Sequence, residues 1–171
     1  LGVQAIQEVP LEFIRQQFHS VFSDLEIKAV KIGMLHDALV VETVFLELKK
    51  IKQPLIVFDP VMVAKGGAVL LESSAIQSLK KHIKDLIYLI TPNLYEAEHL
   101  LGNSIRSQTD MSDAAIALGN QLNTNVLIKG GHMEGSMASD VLYLKKESQC
   151  HWFHSERIAS KNKKSFFPFV K

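Results

Sequence analysis

A single cysteine, Cys150, leaves this chain without an internal disulfide framework and fits a reducing, cytoplasmic compartment. Neither sign of charge dominates. The 19 basic and 18 acidic residues leave a formal net charge of +1, too little field to argue for nucleic acid or a membrane surface as partner. No apolar run approaches the roughly 20 residues that span a bilayer, and no basic, apolar, small-residue signal sequence opens the chain. The first residue is Leu1 rather than methionine, which reads as the mark of a fragment or a processed product. What is there in quantity is ordinary: 171 residues, 47% hydrophobic and 22% charged, enough for one sizeable core and too short for two.

Apolar periodicity divides the chain into alternating helices and strands. Pro10 suits the start of a helix, and Ile14, Phe18, Val21, Phe22 and Leu25 recur at helical spacing, predicting a helix from about Pro10 to Asp24. Lys28 to Ile32 reads as a short strand closed by Gly33. Asp37 caps the next helix, whose expected buried stripe is Val40, Val44, Leu48 and Ile51. Leu55 to Phe58 is a continuous apolar run, as expected of a strand covered on both faces. Residues 64–67 read as a mobile loop, and a helix follows from about Ser73 to Ile83 with Ile76, Leu79 and Ile83 inward. Leu86 to Ile90 is another buried strand. Asn93 opens a short helix that Gly102 ends, and Ser112 is expected to cap one more through Leu122. Asn125 to Ile128 is the next strand; Val141 to Leu144 and Trp152 to Ile158 read as a closing antiparallel pair. This alternation implies one α/β domain, a mostly parallel sheet in three layers with helices on both faces, joined by right-handed crossovers.

Three strand ends carry the chemistry. The second strand ends in Asp59-Pro60-Val61-Met62, the third in Thr91-Pro92-Asn93-Leu94-Tyr95-Glu96, the fourth in Lys129-Gly130-Gly131-His132. Strands of an open α/β sheet deliver their C-terminal residues to one rim, where ligands bind. Two carboxylates and a lysine there suit a magnesium-bound polyphosphate, the acids for the metal and the cation for phosphate charge. Each has a plainer explanation by itself. Asp59 before proline can start a turn, Asn93 and Glu96 stand at capping-box spacing, and a lysine often just solvates a strand end. Their conjunction on one rim is what argues for a site.

Other patterns are weaker. The glycine pairs match neither G-x-G-x-x-G nor the phosphate loop G-x-x-x-x-G-K-[ST], and no G-x-S-x-G elbow exists. In Cys150-His151-Trp152-Phe153-His154, strand alternation sets the two histidines on opposite faces, against a metal site. Cys150 has no helix N-terminus beside it to make it a nucleophile.

Lys31-Ile32-Gly33-Met34-Leu35, Asp59-Pro60-Val61-Met62-Val63-Ala64-Lys65, Thr91-Pro92-Asn93-x-x-Glu96-Ala97-Glu98 and Leu127-Ile128-Lys129-Gly130-Gly131-His132 occur in that order. Together they resemble the hydroxymethylpyrimidine/phosphomethylpyrimidine kinases of thiamine biosynthesis, in the ribokinase-like superfamily; Leu1-Gly2-Val3-Gln4 and Val9-Pro10-x-x-Phe13 share the likeness. Pyridoxal kinases share the Asp-Pro-Val-Met and Asn-x-x-Glu elements and are the nearest confusable relatives. The resemblance implies that Asp59 and Glu96 organise Mg2+, that Asn93 and Lys129 meet the phosphates of ATP together with Glu96, and that Gly33, Met34 and Val61 line a pyrimidine pocket. It implies phosphorylation of hydroxymethylpyrimidine and then of its monophosphate, in the cytoplasm, with a homodimer as the intact family form.

The resemblance runs from Leu1 to about Asn162, so residues 1–162 are expected to form a partial ribokinase-like domain and residues 163–171 a divergent tail. The family's upstream glycine-rich strand and pocket glutamine have no counterpart, which predicts an open apolar sheet edge and self-association. Its Thr-His-Gly-Thr-Gly-Cys anion hole and base have none either, since no glycine follows Gly135. No catalytic residue is therefore assigned, and the chain is expected to be impaired: loss of that turn removes several kcal/mol of transition-state stabilisation, at roughly 3–4 per donor. The alternatives are a pyridoxal kinase and a non-catalytic remnant that at most binds Mg-nucleotide.

Overall fold

Four short parallel strands and one antiparallel pair make the sheet in a computed structural model that describes residues 4–52, 55–63, 70–71, 73–84, 86–131 and 137–156. In chain order the elements are α1 (Leu11–Asp24), β1 (Ala29–Ile32), α2 (Ala38–Lys49), β2 (Leu55–Phe58), α3 (Ser73–Ile83), β3 (Leu89–Ile90), α4 (Leu94–Leu101), α5 (Gln108–Leu122), β4 (Asn125–Ile128), β5 (Met137–Leu144) and β6 (Gln149–Glu156). The strands lie side by side in sequence order, β1 to β4 parallel and β5 and β6 antiparallel. The fold is the α/β, ribokinase-like architecture expected.

Cross-strand register gives the sheet two unlike faces. Ile32, Phe58, Ile90, Val126 and Tyr143 stand in one row across the sheet, and all are buried. Phe58 meets Phe45 of α2 edge-on at 6.3 Å, and Phe45 stacks on His82 of α3 at 5.9 Å. A β-carbon on Gly119 of α5 would lie 2.4 Å from the Tyr143 ring. Helices α2, α3 and α5 therefore serve the same face; α1 packs against α2, and α4 against α5. Sequential parallel strands with right-handed crossovers put every crossover helix on the same side. The other face shows Leu55, Val57, Leu89, Leu127 and Leu142, half-buried or exposed.

Local corrections have simple causes. The stripe of α2 is Val41, Val44, Phe45 and Leu48, one position off the expected one at its first member. Ser112 lies inside α5, its hydroxyl on the Gln108 carbonyl; the cap is Ser107, in a capping box with Asp110. Hydrogen bonds from the Arg106 backbone and the Ser107 side chain hold the Asp110 carboxyl below its ordinary value. β3 is shorter than expected, and β6 begins three residues earlier because the turn after Leu144 is tight, with Ser148 left-handed at φ 52. The loop expected at residues 64–67, His132 and the tail lie outside the described residues.

Candidate active site

The backbone brings three strand ends together before any side chain acts. Asp59 donates its N–H to the Ile32 carbonyl of β1, Thr91 its own to Phe58, and Lys129 its own to Pro92, each at 2.9 Å. Asn93 and Lys129 form an isolated parallel bridge. Side chains alternate along each strand. Because Phe58, Ile90 and Ile128 point to the helices, Asp59, Thr91 and Lys129 point away from them.

On that side Lys129 Nζ lies 2.8 Å from Asp59 Oδ1, both side chains about a fifth exposed. The Thr91 hydroxyl donates to the same oxygen at 3.2 Å, and Lys31 Nζ stands 3.8 Å from Asp59 Oδ2. Asn93 and Glu96 close a capping box at the start of α4: Glu96 N–H donates to Asn93 Oδ1 at 2.9 Å, and Asn93 N–H to Glu96 Oε2 at 2.7 Å. The capping reading of Glu96 is thus seen directly in its hydrogen bonds. Glu96 is only 4% exposed, and burial pushes its carboxyl above the ordinary value. Backbone hydrogen bonds from Asn93 and Met62 and the Lys129 charge oppose that rise, while the neighbouring Asp59 charge adds to it.

Of the residues expected to form the site, Asp59, Asn93, Glu96 and Lys129 are brought together. Val61 is tied to them through its N–H, which reaches the Asp59 carbonyl at 2.8 Å. Gly33 and Met34 follow β1 directly beside Asp59, with Met34 46% exposed. Sequence reasoning gave no role to Thr91, Lys31 or Asp140. Asp140 accepts the Gly130 N–H at 2.9 Å. It had a legible signal, being the one charged residue in β5. Thr91 and Lys31 had none beyond standing near strand ends.

The other candidates stay apart. His151 lies opposite Leu142 and His154 opposite Ser139, hence on opposite faces of the sheet. His154 Nδ1 shares a 2.9 Å hydrogen bond with the Ser139 hydroxyl. Burial, and then the charge of Asp113, raise the Cys150 thiol above its ordinary value, the wrong direction for a nucleophile. A cleft of about 570 Å³ lies elsewhere, where residues 7–11 meet the starts of α2 and α3; Val9, Asp37, Leu39 and Ser74 are in its lining and no rim residue is. Among the described residues no helix is long and apolar enough to cross a membrane.

The donor set fits magnesium. Among the described residues no three His, Cys, Asp or Glu side chains converge to cage a metal unaided. Mg2+ commonly takes one or two carboxylates and completes its shell with phosphate and water. Asp59 and Glu96, two acids close enough for one to raise the other, offer such a pair.

Comparison with known proteins gives the arrangement its relatives. Residues 1–164 match the family model described as phosphomethylpyrimidine kinase. A thiamine biosynthesis bifunctional protein of Geobacter sulfurreducens is 41% identical over 161 residues, covering 94% of this chain and 32% of its own. A crystal structure of phosphomethylpyrimidine kinase from Clostridium difficile superposes with a TM-score of 0.78 at 34% identity, covering 91% of this chain and 65% of the other. An ADP complex of Bacillus subtilis pyridoxal kinase superposes with a TM-score of 0.80 at 27% identity, covering 92% and 57%. The chain thus spans between about a third and two thirds of the length of these relatives.

Proposed function

The chain belongs to the phosphomethylpyrimidine kinase family, which are phosphotransferases, and from that premise we propose that it binds Mg-ATP at the Asp59–Lys129 rim for phosphorylation of hydroxymethylpyrimidine and then its monophosphate, with impaired turnover in this chain. The observation that carries this reading is the 2.8 Å ion pair between Lys129 and Asp59, beside the buried Glu96. Without ligand the two charges neutralise each other. A nucleotide arriving with its metal lets both change partners at once, Lys129 to phosphate and Asp59 to the cation. Either ligand alone would leave one charge of the pair facing its own sign. Binding of metal and nucleotide is therefore cooperative.

Asp59 and Glu96 would hold the Mg2+, which supplies neutralisation of phosphate oxygens as the phosphoryl group transfers. Asn93 fixes the Glu96 carboxylate through the capping box, so its position costs no reorganisation when ligand arrives. Lys129 stabilises charge on the polyphosphate. Gly33, Met34 and Val61 line the face toward the substrate ring, a small pyrimidine. Cytoplasmic location and a homodimeric intact form belong to the same proposal.

Calorimetric titration with ADP, with and without Mg2+, tests the site. Wild type should bind Mg-ADP more tightly than ADP alone, and Asp59→Ala should weaken Mg-ADP by about 30-fold or more, the cost of stripping one partner from a charge pair. Binding indifferent to Asp59 would refute the reading. The likeness to the ADP complex of pyridoxal kinase favours pyridoxal as the second substrate to try. A coupled assay comparing the two substrates discriminates between them, and turnover of neither would support a nucleotide-binding remnant.

A further inference from the structure

Lys129 stands just past the end of β4 and is followed by Gly130 and Gly131. The β4–β5 pairing ends at Ile128 with Val141. One step further along the same register, Lys129 falls opposite Asp140 and Gly130 opposite Ser139. Gly130 lies so close to β5 that an added β-carbon would sit 2.0 Å from the Ser139 carbonyl oxygen. Its N–H turns to the side chain of Asp140, at 2.9 Å, in place of a strand carbonyl. By strand alternation Asp140 shares the side of the sheet that Lys129 takes, opposite to the buried Val141 and Ser139. Burial raises the Asp140 carboxyl above its ordinary value, while the Gly130 N–H and the Lys129 charge pull the other way.

We propose that Asp140 is a positioning residue of this site: its carboxylate pins the Gly130 peptide and so fixes where the Lys129 ammonium meets a nucleotide phosphate. Resting on the kinase reading above, this adds to the site a residue that need not touch the ligand. One oxygen holds the backbone beside Lys129, while the negative charge offers the ammonium a second attraction across the strands. A lysine swings on four methylenes. Fixing the backbone at its root narrows the volume that its ammonium sweeps.

The test compares Asp140→Asn, which keeps an oxygen acceptor and the volume, with Asp140→Ala, which keeps neither. In the ligand-free chain, amide hydrogen exchange at Gly130 should be slow in wild type and Asp140→Asn. It should quicken about tenfold or more in Asp140→Ala, while Val126 and Leu127 keep their rates. Mg-ADP affinity should fall about tenfold in Asp140→Ala, the worth of one hydrogen bond to a charged group, and Asp140→Asn should restore most of it. In a Lys129→Met background Asp140→Ala should cost nothing further, because the route through the lysine is gone. Unchanged exchange at Gly130 in Asp140→Ala refutes the positioning. Losses that add fully in the double variant refute action through Lys129. A wild-type chain that binds no Mg-ADP refutes the kinase reading and the nucleotide half of this proposal, and the exchange result still decides whether Asp140 holds the Gly130 peptide.

Discussion

The rim of β2, β3 and β4 and the β5–β6 pair hold comparable stocks of reactive side chains, yet only the rim assembles them. At the rim, parallel strands end at one level, and Asp59, Thr91 and Lys129 leave them on the same side. In the antiparallel pair Cys150, His151 and His154 alternate between faces and find separate partners: the apolar core, the neighbourhood of Glu147 at 3.8 Å, and Ser139. Parallel topology concentrates strand ends, whereas a hairpin spreads its residues along two opposite surfaces. Reactive residue types are common. Convergence is what makes a site.

Gly130 joins the two regions, so disturbing it should have the largest effect. Gly130→Ala forces a β-carbon into the Ser139 carbonyl and against Met111, and a backbone atom cannot step aside without moving β5. A loss of about 3 kcal/mol in chemical denaturation is expected, at the upper end of ordinary overpacking. A loss below about 1 kcal/mol would show that the rim and the hairpin are less tightly coupled than described.

Glu96 sharpens the electrostatic side of the comparison. Burial raises its carboxyl above the ordinary value, so the folded chain binds that proton more readily than the unfolded one. Between the ordinary and the raised value the folded state holds more protons, and stability falls as pH rises through that window. The contribution is fully present at lower pH and is lost above the raised value, where the buried carboxylate is ionised. Glu96→Gln keeps an acceptor for the Asn93 N–H and should flatten that slope in the metal-free chain. Unfolding curves taken across acid pH read it directly. An unchanged slope would mean that another group carries the titration.

The smallest effect is expected at the hairpin. Among the described residues His151 finds no hydrogen-bond partner at its buried Nε2, and its Glu147 neighbour is well exposed. His151→Ala should change stability by no more than about 0.5 kcal/mol and leave Mg-ADP affinity unchanged. A loss of nucleotide binding there would erase the contrast between the two regions.

The residues that were legible in advance are those whose roles follow from local pattern. Asp37, Asn93 and Gly102 announce helix ends, and the apolar runs announce β2 and β4. The Ser107-x-x-Asp110 capping box was equally written in the sequence; Ser112 drew the cap instead because serine at a helix start and serine inside one look alike locally. Asp140 was harder to see. Its significance depends on meeting the Gly130 N–H from the neighbouring strand, and pairing register is not a property of either strand alone.

By itself, then, the sequence determined the alternation of elements, the family motifs and the residue types delivered to the strand ends, because these follow from backbone periodicity and capping chemistry. Tertiary structure alone decided that Lys129 closes on Asp59, that Thr91 and Lys31 join them, that Asp140 accepts the Gly130 N–H, and that α2, α3 and α5 gather on one face. Those outcomes depend on which strands become neighbours and in what register, and that is settled only when the core packs.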